Sequence, residues 1–162
     1  MPRQNSKSQP KSIALALLAG ALILTLTGCA NGDDAPTRMI KQVTDGVEAT
    51  SGDVKATNVL LVAQADGSAV LVATVVNNGE KSESIQSITA NGIAGIKAPI
   101  DLATAAPAIF AGPSANQSVI FPGLNLKASQ HATIEFTFAT AAPIKLNALV
   151  REQSGIYANT TK

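Results

Sequence analysis

Side chains able to act as nucleophiles, soft-metal ligands or proton-transfer groups are few in this sequence, and they are scattered. The 162 residues include one Cys, one His and two Met. After the expected processing the donors are one His, His131, one Met, Met39, and an occupied Cys29. Soft-metal sites need several thiolate, thioether or imidazole donors converging on one ion, so no metal and no cofactor is expected. His131 follows the turn Ala128-Ser129-Gln130 and precedes a strand, the setting of a surface or structural imidazole. Asp33-Asp34 lacks the spaced oxygen ligands of a calcium loop. No Gly-x-Ser-x-Gly elbow or phosphate-binding Gly-Lys-Ser/Thr loop occurs. Asp66, Glu80, Glu83 and Asp101 fall in predicted turns, where solvated charges belong. These residues argue against an enzyme; a hydrolase would have to be built around His131.

One residue is set in a context that does specify chemistry. Residues 1–12 carry Arg3, Lys7 and Lys11 and no acid, and Ile13 to Leu24 is continuously apolar. A basic start, a short apolar run and a small-residue exit form a secretory leader. The run is shorter than the roughly 20 residues of a membrane-spanning helix. Leu26-Thr27-Gly28-Cys29 then resembles the bacterial lipobox: Leu three positions before Cys, with small residues beside the bond to be cut. The expectation is cleavage between Gly28 and Cys29 and acylation of the Cys29 thiol. One acyl chain binds a membrane reversibly, whereas the two chains of a diacylglyceryl group hold it stably. The expected location is the outer face of the cell membrane, with the lipid bilayer as a partner through acylated Cys29.

Cleavage would leave 134 residues, enough for one domain with a real core. Arg3, Lys7 and Lys11 would leave without any acid, so the net charge of +1 would become −2. No basic patch remains for a phosphate backbone, which argues against nucleic acid. Aromatic residues make up 3% of the chain, so the core must rest on Val, Ile, Leu and Ala, with Phe110, Phe121, Phe136 and Phe138 as its larger pieces.

The expected organisation is a leader over 1–28, a lipidated tether over 29–37, a β domain over 38–157 and a polar tail over 158–162. A short first strand is expected over 37–44. Val54 to Gln64 reads as a strand ending at the turn Asp66-Gly67. Ala69 to Val76 is nearly all apolar and is expected in mid-sheet, covered on both faces. Asn77-Asn78-Gly79 is expected to supply left-handed turn positions. Ile85 and Ile88 mark the next segment. Ile134, Phe136 and Phe138 alternate with polar residues, as do Ile144, Leu146, Ala148 and Val150. Turn signals recur about every ten residues, as in an antiparallel β-sandwich of about seven strands.

The stretch Ala105 to Phe121 stands apart. Ile109, Phe110 and Phe121 sit among two prolines, Pro107 and Pro113, and small residues. Such a loop is either a partner-binding lip or a crossover that tucks its aromatic residues into the core, and apolar burial favours the second.

Several segments carry a family resemblance. Ala69-Val70-Leu71-Val72-Ala73-Thr74-Val75-Val76-Asn77-Asn78-Gly79, then Ser84-Ile85-Gln86-Ser87-Ile88, resemble the periplasmic copper chaperone superfamily. So do Phe121-Pro122-Gly123-Leu124 and the strand from Ala132 to Phe138. The resemblance covers Val54 to Val150 and implies an all-β, cupredoxin-like or immunoglobulin-like sandwich. That family binds Cu(I) with two His and two Met. Here Ser118-Val119-Ile120 stands where a His-x-Met pair is expected, so the resemblance carries over no copper ligand. The likeness extends to small actinobacterial lipoproteins that share the sandwich without those ligands. The resulting expectation is a non-catalytic, membrane-anchored module that binds or scaffolds an envelope protein or glycan. A copper chaperone-like role in metal handling is the alternative, and an envelope hydrolase a weaker one.

Overall fold

The computed structural model describes residues 44–96 and 99–160. Gly28, Cys29, the leader, the tether and the strand expected before Thr44 lie outside the described residues.

Among the described residues ten strands are formed: β1 (Val47–Ser51), β2 (Val54–Ala63), β3 (Ala69–Asn77), β4 (Glu83–Ala90), β5 (Ile93–Ala94), β6 (Ile100–Leu102), β7 (Ala108–Ile109), β8 (Ile120–Phe121), β9 (His131–Phe138) and β10 (Ile144–Glu152). Seven follow one hydrogen-bonded path, β5-β4-β9-β10-β2-β3-β7, while β1, β6 and β8 join its sides. Among the described residues the only helical element is a single 3-10 turn, Gly155–Tyr157, and no helix is long and apolar enough to cross a membrane. The fold is all-β, as the alternation predicts, but it is not wholly antiparallel. β10 pairs with β2 in parallel, Val150 opposite Leu61 and Glu152 opposite Ala63. Turn signals reveal only local hairpins, so this distant pairing had no trace in the sequence.

The core follows from period-two alternation. In β9, Ala132, Ile134, Phe136 and Phe138 point inward between half-exposed Thr133, Glu135 and Thr137. Phe136 and Phe138 stack with ring centroids 6.5 Å apart. β3 lies between β2 and the short pair β7 and β8. Val72, Thr74 and Val76 are only half-buried, so its second face is less covered than its apolar run implies.

Bulges reset that period twice. Ile85 pairs with Phe138 and Ser87 with Thr137, which leaves Gln86 as the extra residue. The bulge explains how Ile85 and Ile88, three apart, both reach the core. In β2 the register slips between Thr57 and Leu60, around Asn58 at φ 52°.

The Ala105 to Phe121 stretch proves to be a crossover. Thr74 pairs with Ile109 and Ala69 with Phe121, both on the edge of β3. Phe110 and Phe121 are completely buried, so they belong to the core and not to a binding lip. Gly95 lies against this segment; a Cβ there would come within 2.5 Å of Val119 Cγ1 and 3.0 Å of Phe121 Cε1.

The C-terminal end also departs from expectation. Thr160 is buried. Its carbonyl accepts hydrogen bonds from Gln64 Nε2 at 3.3 Å and Gln153 Nε2 at 2.9 Å. Two side-chain donors thus hold Thr160, within the segment expected as a polar tail.

Candidate functional site

The best-defined polar constellation lies at the pole where the β1–β2, β3–β4 and β9–β10 turns meet. Its centre is Glu83, the first residue of β4. Alternation puts Glu83 on the same inward side as Ile85, two residues on. It is therefore a buried strand residue, not the solvated turn charge expected from composition.

The carboxylate is held from two directions. Oε1 accepts hydrogen bonds from the backbone N–H of Ser84 at 2.8 Å and Ala139 at 3.1 Å. Oε2 accepts from Ala141 N–H at 2.8 Å and from the Thr140 hydroxyl. The N–H of Thr140 lies 3.2 Å from both oxygens. Burial pushes the carboxyl pKa up, but the bonds from Thr140, Ser84 and Ala141 outweigh it and lower the pKa to about 2. With its lone pairs committed to these donors, Glu83 is neither a general base nor a metal ligand. Its work is to fix the turn between β9 and β10.

Asn77 fixes the neighbouring turn. Its Nδ2 donates to the carbonyls of Lys81 at 2.7 Å and Leu102 at 3.2 Å, and its Oδ1 accepts from Gly79 N–H at 3.0 Å. This side-chain mimicry of a backbone turn replaces the left-handed positions expected there. The left-handed asparagines are elsewhere, at Asn58, Asn91 and Asn125.

Between these turns opens a recess of about 500 Å³, lined in part by Asp53, Glu80, Lys81 and Thr140. A second recess, about 410 Å³, lies on the other side of Glu83 against Asp101 and Leu102. Charges of both signs line the first, with no nucleophile–base pair among them. Among the described residues no group of three or more His, Cys, Asp or Glu side chains is placed to hold a metal ion. His131 opens β9 as an exposed residue opposite Leu149, at the pole away from Glu83.

No family model matches the sequence, and no curated protein matches it. Solved structures do match. The apo PCuAC domain from PmoF1 superposes with a TM-score of 0.56 at 19% identity, over 65% of this chain and 99% of that domain. The fold is that of the periplasmic copper chaperone (PCuAC) domains. The copper-bound PCuAC domain from PmoF2 gives 0.53 at 17% identity, over 65% of this chain and 98% of that domain. Its apo form gives 0.54 at 17%, over 68% and 99%.

The residues at the place of the expected His-x-Met pair do not fit copper. Ser118 is exposed, Val119 is buried, and Ile120 pairs with Val70 at the edge of β3. The N–H of Ile96 donates to the Ile120 carbonyl at 2.8 Å, bringing a second isoleucine beside the first. A recess of about 240 Å³ next to Ser118 is lined by Phe110, Gln117, Asn159 and Thr160 among others. Hydroxyls, amides and aliphatic carbons supply none of the soft donors Cu(I) prefers.

Proposed function

We propose that this chain is a non-catalytic module of envelope metal handling that works through protein contacts, not by holding copper in a two-His, two-Met site. The supporting observation is the sandwich itself, which spans 98–99% of PCuAC domains solved in apo and copper-bound forms. Acylated Cys29 is proposed to hold the module on the outer face of the cell membrane. The test is removal of the gene from its own cell, with copper tolerance as the readout. Altered tolerance is expected, restored by the wild-type gene and not by Cys29→Ala. Unchanged tolerance would refute the metal-handling role. Titration of the mature chain with Cu(I) under reducing conditions tests the protein-contact part, because tight stoichiometric binding would overturn it.

A second reading is a binding or scaffolding module with no metal connection, its partner an envelope protein or glycan. Ser118 and Ile120 favour it, since they leave the expected ligand positions without donors. Unchanged copper tolerance together with absent Cu(I) binding is its expected signature.

A further inference from the structure

We propose that the 3-10 turn Gly155–Tyr157 is a bilayer contact, with Ile156 entering the headgroup boundary and the Glu83 recess pointing away from the membrane. This rests on the lipid anchor proposed at Cys29. Ile156 is 85% exposed, and the other exposed large hydrophobic residue among those described is Ile96 at 62%. The turn sits beside the point where the chain enters the domain. Tyr157 Oη donates to Asp45 Oδ2 at 3.2 Å, and Arg151 Nε lies 3.4 Å from the same oxygen. Asp45 follows directly on Thr44, the first described residue.

The topology puts this entry point far from the Glu83 pole. β10 runs from Ile144, just after the turn held by Glu83, to Arg151 and Glu152 beside Asp45. At about 3.3 Å per residue, the two ends lie roughly 25–30 Å apart. Fifteen peptide steps separate Cys29 from Thr44 and span at most about 50 Å. An anchor joined to the entry pole raises the effective concentration of bilayer around the whole domain, and the exposed Ile156 beside that pole is what biases which end meets it. The same side chain on an untethered protein would hold it only fleetingly.

The experiment uses the mature chain coupled through its single cysteine, Cys29, to a maleimide lipid in nanodiscs. A gadolinium-chelating lipid in the disc broadens amide signals close to the membrane. Amides of Gly155 to Ala158 are expected to broaden several-fold more than those of Asn78 to Lys81. Ile156→Ser should at least halve that contrast without lowering the melting temperature. Equal broadening at the two poles, or no response to Ile156→Ser, overturns the proposal. So does reversible dimerisation of the uncoupled chain that Ile156→Ser abolishes, which would assign the turn to a second copy. The chemical anchor separates this test from the lipidation reading, which fails only if labelled fatty acid is not taken up at Cys29 in the cell.

Discussion

Replacing Glu83 by Gln keeps the shape of the side chain and removes the charge that the Ala139–Ala141 turn is built to meet. Lowering a carboxyl from 4.5 to about 2 corresponds to about 3 kcal/mol for a fully shielded group. Glu83 is largely covered, yet it lines the recesses on both sides and so stays close to solvent, which screens this to about 1–2 kcal/mol. The glutamine NH₂ must also face N–H donors of the turn, adding about 1 kcal/mol. The expected loss for Glu83→Gln at pH 7 is about 2–3 kcal/mol, or roughly 8 °C in melting temperature. Urea unfolding gives the free energy directly, and Glu80→Gln on the exposed loop serves as a control expected within about 0.5 kcal/mol. The pH dependence has a fixed sign. Because the folded pKa lies below the unfolded one, the contribution is complete above pH 4.5 and is lost as pH falls toward 2. Wild type and Glu83→Gln should therefore converge in stability across that window. A difference under about 0.5 kcal/mol at pH 7, or parallel curves down to pH 2, refutes the clamp.

Other perturbations test other parts of the fold. Tyr157 is held above its ordinary pKa of 10.0 by burial and then by Asp45, against the opposing pull of Arg151. As the only tyrosine, it can be titrated by tyrosinate absorbance, and Asp45→Asn should move its midpoint down. The stability it contributes is complete below pH 10 and is lost as pH rises through the folded value. Gly95→Ala drives a methyl group into Val119 and Phe121 and should cost about 1–3 kcal/mol in denaturant unfolding. Phe110→Ala should cost about 3–5 kcal/mol, whereas a loss below about 1 kcal/mol would mean the ring is not in the core.

The legible parts of this fold are those where one face is buried and the register does not slip. β9 and the second half of β10 read correctly because Ile134, Phe136, Phe138, Ala148 and Val150 keep strict alternation. β1 went unseen because its inward positions, Val47 and Ala49, are only half-buried and its signal is short. Bulges at Asn58 and Gln86 hide the phase of β2 and β4, since one extra residue moves every later side chain to the opposite face. The candidate site was legible only in part. Asn77 and Gly79 marked the turn, but the buried role of Glu83 depends on donors 56 to 58 residues away. The spacing Glu83-Ser84-Ile85 was the available signal, and composition argued against it because carboxylates are rarely buried. Phe110 and Phe121 illustrate the reverse: apolar residues in a segment without periodicity were still drawn into the core by strand pairs of two residues each.

The parallel pairing of β10 with β2 has a consequence for how the domain is assembled. Val150, Arg151 and Glu152 pair with β2, whose neighbours β1 and β3 lie at the start of the domain and whose sheet also takes in β7 and β8, while Ile144 to Leu149 complete a different ladder with β9. Until β10 arrives, the two strand systems are joined by the isolated bridges Ile96–Ile120 and Asn77–Thr104 and not by a shared strand. The ten-stranded sheet therefore cannot be completed before β10, the last strand among the described residues, is available. Formation of the native sheet is thereby tied to the C-terminal part of the domain, and a chain cut before Ile144 would lose both of the ladders that β10 makes.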